Sequence, residues 1–215
     1  RKMGAEIQGE GTGTINIRGV RRLHGTDITV PGDRIAFMTY AAMALGTQGE
    51  IRICTKNENF LTEQKELEKA GCTFLNHENE VVVSADRGIK AIPYLKTAPY
   101  PGFPTDAQSL FLTLMSRAHG ESVLCETVFE NRFQMIPYLK KMGADIDTVS
   151  QCAYVHGVIR LHGETVRAND LRSGAALLLA GVMAEGETVI EQAENILRGY
   201  EDPVQNMENF GFEVR

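Results

Sequence analysis

A chain of 215 residues, 43% hydrophobic and 23% charged, is long enough for one large domain or two small ones and has the balance of a globular protein. Its formal net charge of −6 argues against a general nucleic-acid or anionic-membrane surface, although a local basic site is compatible with it. The longest apolar run, Ala175 to Ala184, falls short of the ~18 residues that span a bilayer, and Arg1-Lys2-Met3-Gly4 has no signal-peptide character. The four cysteines (Cys54, Cys72, Cys125, Cys152) show neither CxxC nor metal-ligand spacing, which predicts reduced thiols in a cytoplasmic protein with no metal and no cofactor.

Taken in order, the chain reads as one unit written three times. Lys2-Met3-Gly4, Lys69-Ala70-Gly71, Lys141-Met142-Gly143 and Asn209-Phe210-Gly211 mark intervals of about 70 residues. Gly49, Gly120 and Gly186, each followed by Glu, form a second series, and Asp33, Asp106 and Asp170 a third. The predicted units run roughly 1–70, 71–142 and 143–215 within a single domain, 1–215. Each opens on short strands, such as Thr14–Arg18, Glu80–Ser84 and Ala153–His156, that alternate or are β-branched. A helix apolar on almost every face follows: Ile35–Leu45, Ala107–Ala118 and Leu171–Ala184. After the glycine turn comes a strand such as Gly49–Cys54, then a more amphipathic helix, Leu61–Ala70 or Phe133–Met142, stopped by a left-handed glycine. Helices without a polar face must be covered on all sides. The three apolar helices are therefore expected together at the centre of a pseudo-threefold α/β (α+β) fold, with sheets and amphipathic helices outside. The opening looks like the tail of a helix and Phe212–Arg215 like a lone strand, so both ends read as cut from something longer.

Cations are disfavoured in the first turn of a helix, yet Arg34, Arg132, Arg172 and Arg198 are expected at or just before helix starts. Each has a carboxylate neighbour (Asp33, Glu130, Asp170, Glu201) that would make it a local ion pair. Taken together, the four arginines and the helix N-termini instead suit a site for phosphate or carboxylate groups. The stretch Tyr100-Pro101-Gly102-Phe103-Pro104-Thr105-Asp106 predicts a stiff, extended approach to a helix that Thr105 or Asp106 caps. Asp106 is thus a cap, or a base or ligand presented as one. The five histidines read as surface or turn residues. Phe129 and Phe133 flank Arg132 and are core aromatics by spacing, with Phe129 alternatively facing a ligand.

Four stretches, Phe103-Pro104-Thr105-Asp106-Ala107-Gln108, Glu126-Thr127-Val128-Phe129-Glu130-Asn131-Arg132-Phe133, Asp170-Leu171-Arg172-Ser173-Gly174-Ala175 and Arg198-Gly199-Tyr200-Glu201, resemble those of the UDP-N-acetylglucosamine enolpyruvyl transferases. The resemblance runs collinearly through the whole chain and matches the C-terminal of that family's two domains, each an inside-out α/β barrel of three βαβαββ units. It implies transfer of the enolpyruvyl group of phosphoenolpyruvate to the 3-hydroxyl of UDP-N-acetylglucosamine, with release of phosphate, in peptidoglycan precursor synthesis. By motif, Asp106 would meet the sugar hydroxyl as the catalytic carboxylate and Val128 would touch the nucleotide sugar through its backbone, with Phe129 beside it. Arg172 and Arg198 would meet phosphoenolpyruvate, and Arg132 would be a further arginine of the cleft. The family's cysteine loop and Lys-Asn pair lie in the other domain and have no counterpart here, so the missing N-terminal domain is an implied partner and the chain alone is expected to be inactive. A 5-enolpyruvylshikimate-3-phosphate synthase-like enzyme and a non-catalytic nucleotide-sugar binding module are the alternatives.

Overall fold

The computed structural model describes residues 1–55 and 61–214. They fall into two compact units, 1–31 and 32–215. The first is small. Strands β1 (Glu6–Gln8) and β2 (Asn16–Arg18) pair antiparallel, and the His24 amide donates to the Met3 carbonyl.

The second unit is organised by three helices: α1 (Arg34–Thr47), α3 (Gln108–Met115) and α5 (Leu171–Met183). The amphipathic α2 (Leu61–Ala70) lies between α1 and α3 in the chain. Each of the three helices packs against the other two. Most of their side chains are buried, among them Phe37, Met38, Leu45, Leu110, Phe111 and Leu179. Sequence and burial agree for a physical reason, since a helix with Leu, Ala, Met and Phe on every face gains from covering every face. Small residues set the approach: a Cβ on Gly46 of α1 would lie 2.7 Å from Met183 of α5. Two hydrogen bonds to backbone tie α3 and the residues after it to α5, from Ser109 Oγ to the Arg172 carbonyl (3.0 Å) and from Arg117 to the Met183 carbonyl (2.9 Å).

Around the helices lie short sheets. Strand β3 (Glu50–Cys54) pairs with the hairpin of β4 (Thr73–Asn76) and β5 (Glu80–Ser84) in the order β3-β5-β4. The next sheet repeats the theme: β7 (Glu121–Cys125) joins the hairpin of β8 (Asp145–Val149) and β9 (Cys152–His156), and β6 (Leu95–Lys96) adds parallel to β7. Two parallel pairs follow, β10 (Leu161–His162) with β12 (Ala184–Glu185) and β11 (Thr165–Arg167) with β13 (Val189–Glu191). Helices α4 (Ile136–Lys141), α6 (Glu194–Leu197) and α7 (Pro203–Asn209) complete the unit. Among the described residues no helix is long and apolar enough to cross a membrane.

Several local expectations need correction. The 98–103 loop is a closed turn rather than an extended approach: Tyr100–Pro101 is cis, and the Gly102 amide bonds the Pro99 carbonyl. Residues Thr105–Ala107 then form a 3₁₀ turn, and α3 has no side-chain cap. Asp106 therefore caps nothing, whereas Asp33 and Asp170 do, each accepting two backbone amides. α4 starts at Ile136, which leaves Arg132 and Phe133 in irregular chain. Arg198 follows the last residue of α6, the end where a cation is favoured, rather than preceding a helix. Residues 212–214 are not in a strand, and Arg215 lies outside the described residues. The expectation of four reduced thiols also fails, because Cys125 and Cys152 form a disulfide. Chain spacing hid the pair, while the register of β7 against β9 sets the two residues directly opposite, with Cα atoms 4.0 Å apart. Cys54 and Cys72 are free. Burial pushes the Cys72 thiol up to about 12, which makes it an inert core group.

Candidate active site

Asp106 is presented by the 3₁₀ turn ahead of α3, with its carboxylate partly open to solvent. Arg172, in the first turn of α5, reaches it with Nη2 3.0 Å from Oδ2. Arg132 approaches from the irregular segment before α4, with Nη2 3.7 Å from Oδ1. The arginines thus serve the more distant Asp106 and not their sequence neighbours, which removes the local-pair reading for both. Arg132 also lies over the Phe129 ring, 4.7 Å from its centroid. Phe129 stays about half exposed beneath the cation.

Asp170 belongs to the same field. Burial raises its carboxyl, but the Ser173 hydroxyl, the Ser173 and Arg172 amides and the Arg132 charge outweigh that and hold it below its ordinary value. Under Arg172 lies Tyr200, buried and bonded to the Thr39 hydroxyl at 2.9 Å. Burial pushes its phenol up, with Thr39 and Arg172 pulling the other way, so it stays a neutral partner to the guanidinium. Arg34, at the start of α1, pairs with the buried Glu63 at 3.1 Å instead of Asp33.

Arg34, Tyr100, Thr105, Asp106 and Val128 line one cleft of about 130 Å³. A second cavity of about 300 Å³ is lined by Phe129, Asn131, Arg132, Phe133, Thr148 and Gln151. The structure therefore brings Asp106, Arg132, Arg172, Val128 and Phe129 together. Arg198 does not join them: it is exposed, lines neither cavity and makes no ion pair among the described residues. Chemically, the cluster offers two guanidiniums whose carboxylate partner can be exchanged for an anion, and a carboxylate that such an exchange releases toward a hydroxyl. Among the described residues no group of three or more His, Cys, Asp or Glu side chains is placed to hold a metal ion.

Comparison with known proteins agrees with the chain-wide resemblance. The family model for EPSP synthase (3-phosphoshikimate 1-carboxyvinyltransferase) matches residues 1–207. The chain belongs to this enolpyruvyl transferase family. Within the family it is similar to UDP-N-acetylglucosamine 1-carboxyvinyltransferases. It is 40% identical over 99% of its length to enzyme 2 of Caldanaerobacter subterraneus, and 41% identical over 99% to that of Novosphingobium aromaticivorans. The chain spans 51% and 50% of those relatives, about half their length. The crystal structure of the enolpyruvyl transferase NikO from Streptomyces tendae superposes with a TM-score of 0.87 at 27% identity, covering all of this chain and 52% of that one. EPSP synthase from Acinetobacter baumannii shares the fold, with a TM-score of 0.62 over 87% of this chain and 44% of that one, at 20% identity.

Sequence reasoning missed Tyr200, buried beside Arg172, and the buried Glu126, whose carboxylate accepts from the Thr97 and Thr105 hydroxyls and from the Val128 and Phe129 amides. Glu126 and Tyr200 sit inside two of the quoted motifs but carry no local sign of their role. Thr97 gave no signal at all, since its partners lie 29 and 30 residues away.

Proposed function

We propose that this chain is the C-terminal half of a two-domain enzyme that moves the enolpyruvyl group of phosphoenolpyruvate to the 3-hydroxyl of UDP-N-acetylglucosamine. The observation that carries the reading is Asp106, freed from capping, held by two arginines and lining one cleft with Val128. In the addition step the sugar oxygen bonds to C2 of phosphoenolpyruvate, its proton passes to a base, and C3 gains a proton. In the elimination step C3 loses a proton and the C2–O bond to phosphate breaks, releasing inorganic phosphate. Asp106 takes or orients the hydroxyl proton, and the Val128 backbone and Phe129 meet the nucleotide sugar. Arg132, Arg172 and Arg198 serve the phosphate and carboxylate charge. Arg198 reaches the substrate only when a second domain, bearing the cysteine loop, closes on this one.

The same reading takes the fold as three units, roughly 1–70, 71–142 and 143–215, of an inside-out α/β barrel. It is supported by the mutual packing of α1, α3 and α5 and by a hydrogen bond that recurs at each boundary. His24 donates to the carbonyl of Met3, Lys90 to that of Ala70, and His162 to that of Met142. We place the reaction in cytoplasmic peptidoglycan precursor synthesis. The description of the matching family model supports a second acceptor, shikimate 3-phosphate. Phosphate release by the complete enzyme, with each acceptor in turn beside phosphoenolpyruvate, separates the two. Release with the nucleotide sugar alone is expected; release with shikimate 3-phosphate alone would transfer the assignment to the synthase.

A further inference from the structure

We infer that Glu126 is a positioning residue that locks the Val128–Phe129 backbone to the turn carrying Asp106. The inference rests on the reading of the cleft as the nucleotide-sugar site. Glu126 stands where β7 ends, its amide bonded to the Gln151 carbonyl, and its residue is 1% exposed. Its side chain collects donors from three separate stretches. Oε1 accepts from Thr97 Oγ1 after β6 (2.9 Å), from the Val128 amide (2.8 Å) and from the Phe129 amide (3.0 Å). Oε2 accepts from Thr105 Oγ1 (2.7 Å), the residue immediately before Asp106. Thr97 closes the network by accepting the Thr127 amide (2.8 Å) on its hydroxyl and the Thr127 hydroxyl (2.6 Å) on its carbonyl.

The residue type matters here. A buried carboxylate is costly, and Glu126 makes no salt bridge among the described residues, so its charge is offset by these donors. Only an ionised carboxylate is acceptor-only on both oxygens, and hydrogen bonds to it are stronger than neutral ones. One rigid group thus fixes the separation between the backbone at Val128 and the carboxylate at Asp106, two walls of the same cleft. A misplacement of that separation falls on the reacting geometry more than on binding.

Glu126→Gln keeps the shape and removes the charge, and Thr105→Val cuts only the bond toward Asp106. In the complete enzyme each variant is expected to lose about tenfold in kcat, with KM for both substrates within about twofold and a Tm lowered by only a few degrees. The double variant is expected to lose no more than the worse single one, because both changes break one linkage. Amide exchange at Val128 and Phe129 is expected to quicken in Glu126→Gln. Additive losses, or wild-type kcat in both single variants, would overturn the assignment, as would unchanged exchange at the two amides. If the wild-type enzyme releases no phosphate from phosphoenolpyruvate, the functional reading falls by itself, and the exchange measurement still decides whether Glu126 holds the loop.

Discussion

Asp106 differs from its sister residues in one respect that makes it testable. Asp33 and Asp170 cap their helices, and Asn caps about as well as Asp. Asp106 caps nothing and faces Arg172 and Arg132. In the complete enzyme Asp106→Asn should melt within a few degrees of wild type yet lose about a hundredfold or more in kcat. Asp33→Asn should change kcat little. Asp170 carries a separate prediction from its lowered pKa. A folded value below the unfolded one stabilises the protein above the unfolded value, about 3.9, and the advantage is lost as pH falls through the folded value. The Tm gap between wild type and Asp170→Asn should therefore be widest near neutrality and narrow below about pH 4. A gap that widens in acid would show that the carboxylate is not favoured by the fold. The motifs made Asp106, Arg132 and Arg172 legible in the sequence. They could not reveal that one carboxylate serves both arginines, because Asp106 meets Arg172 across 66 residues, through the packing of α3 on α5, and Arg132 from irregular chain.

At the scale of elements, long periodic segments were readable and short ones were not. The end of α2 at Ala70 and the extent of β5 match the expectation, since Gly71 at positive φ stops the helix and the β-branched valines of Glu80–Ser84 favour a strand. Strands of two residues, β6, β10 and β12, carry too few positions for any pattern and exist only through parallel partners. The glycines that join these elements mark the tight places. A Cβ on Gly157 would lie 1.7 Å from the Ala118 carbonyl oxygen, against backbone that has nowhere to go, whereas nothing lies within 4 Å of one on Gly25. Gly157→Ala should cost more than about 2 kcal/mol and Gly25→Ala less than about 0.5 kcal/mol, as read by denaturant unfolding. The cysteines give a second check at this scale. Thiol titration of the native protein should find Cys54 reactive and Cys72 silent until unfolding. Cys125 and Cys152 should appear only after reduction. Four thiols in the unfolded, unreduced protein would contradict the Cys125–Cys152 disulfide.

For the molecule as a whole, three landmark series that keep one order through the chain led to the expectation of three apolar helices packed together. That packing is visible in α1, α3 and α5, each covered by the other two. The chain spans about half the length of the curated relatives it matches, and the Asp106 carboxylate lies partly open to solvent. On the proposed reading the active site closes only between this domain and a second one. The measurement that bears most directly on this account is phosphate release from phosphoenolpyruvate and UDP-N-acetylglucosamine, by this chain alone and by the complete enzyme at equal concentration. The account predicts release by the complete enzyme and none above background by the chain. Equal rates from the two, or none from the complete enzyme, would contradict it.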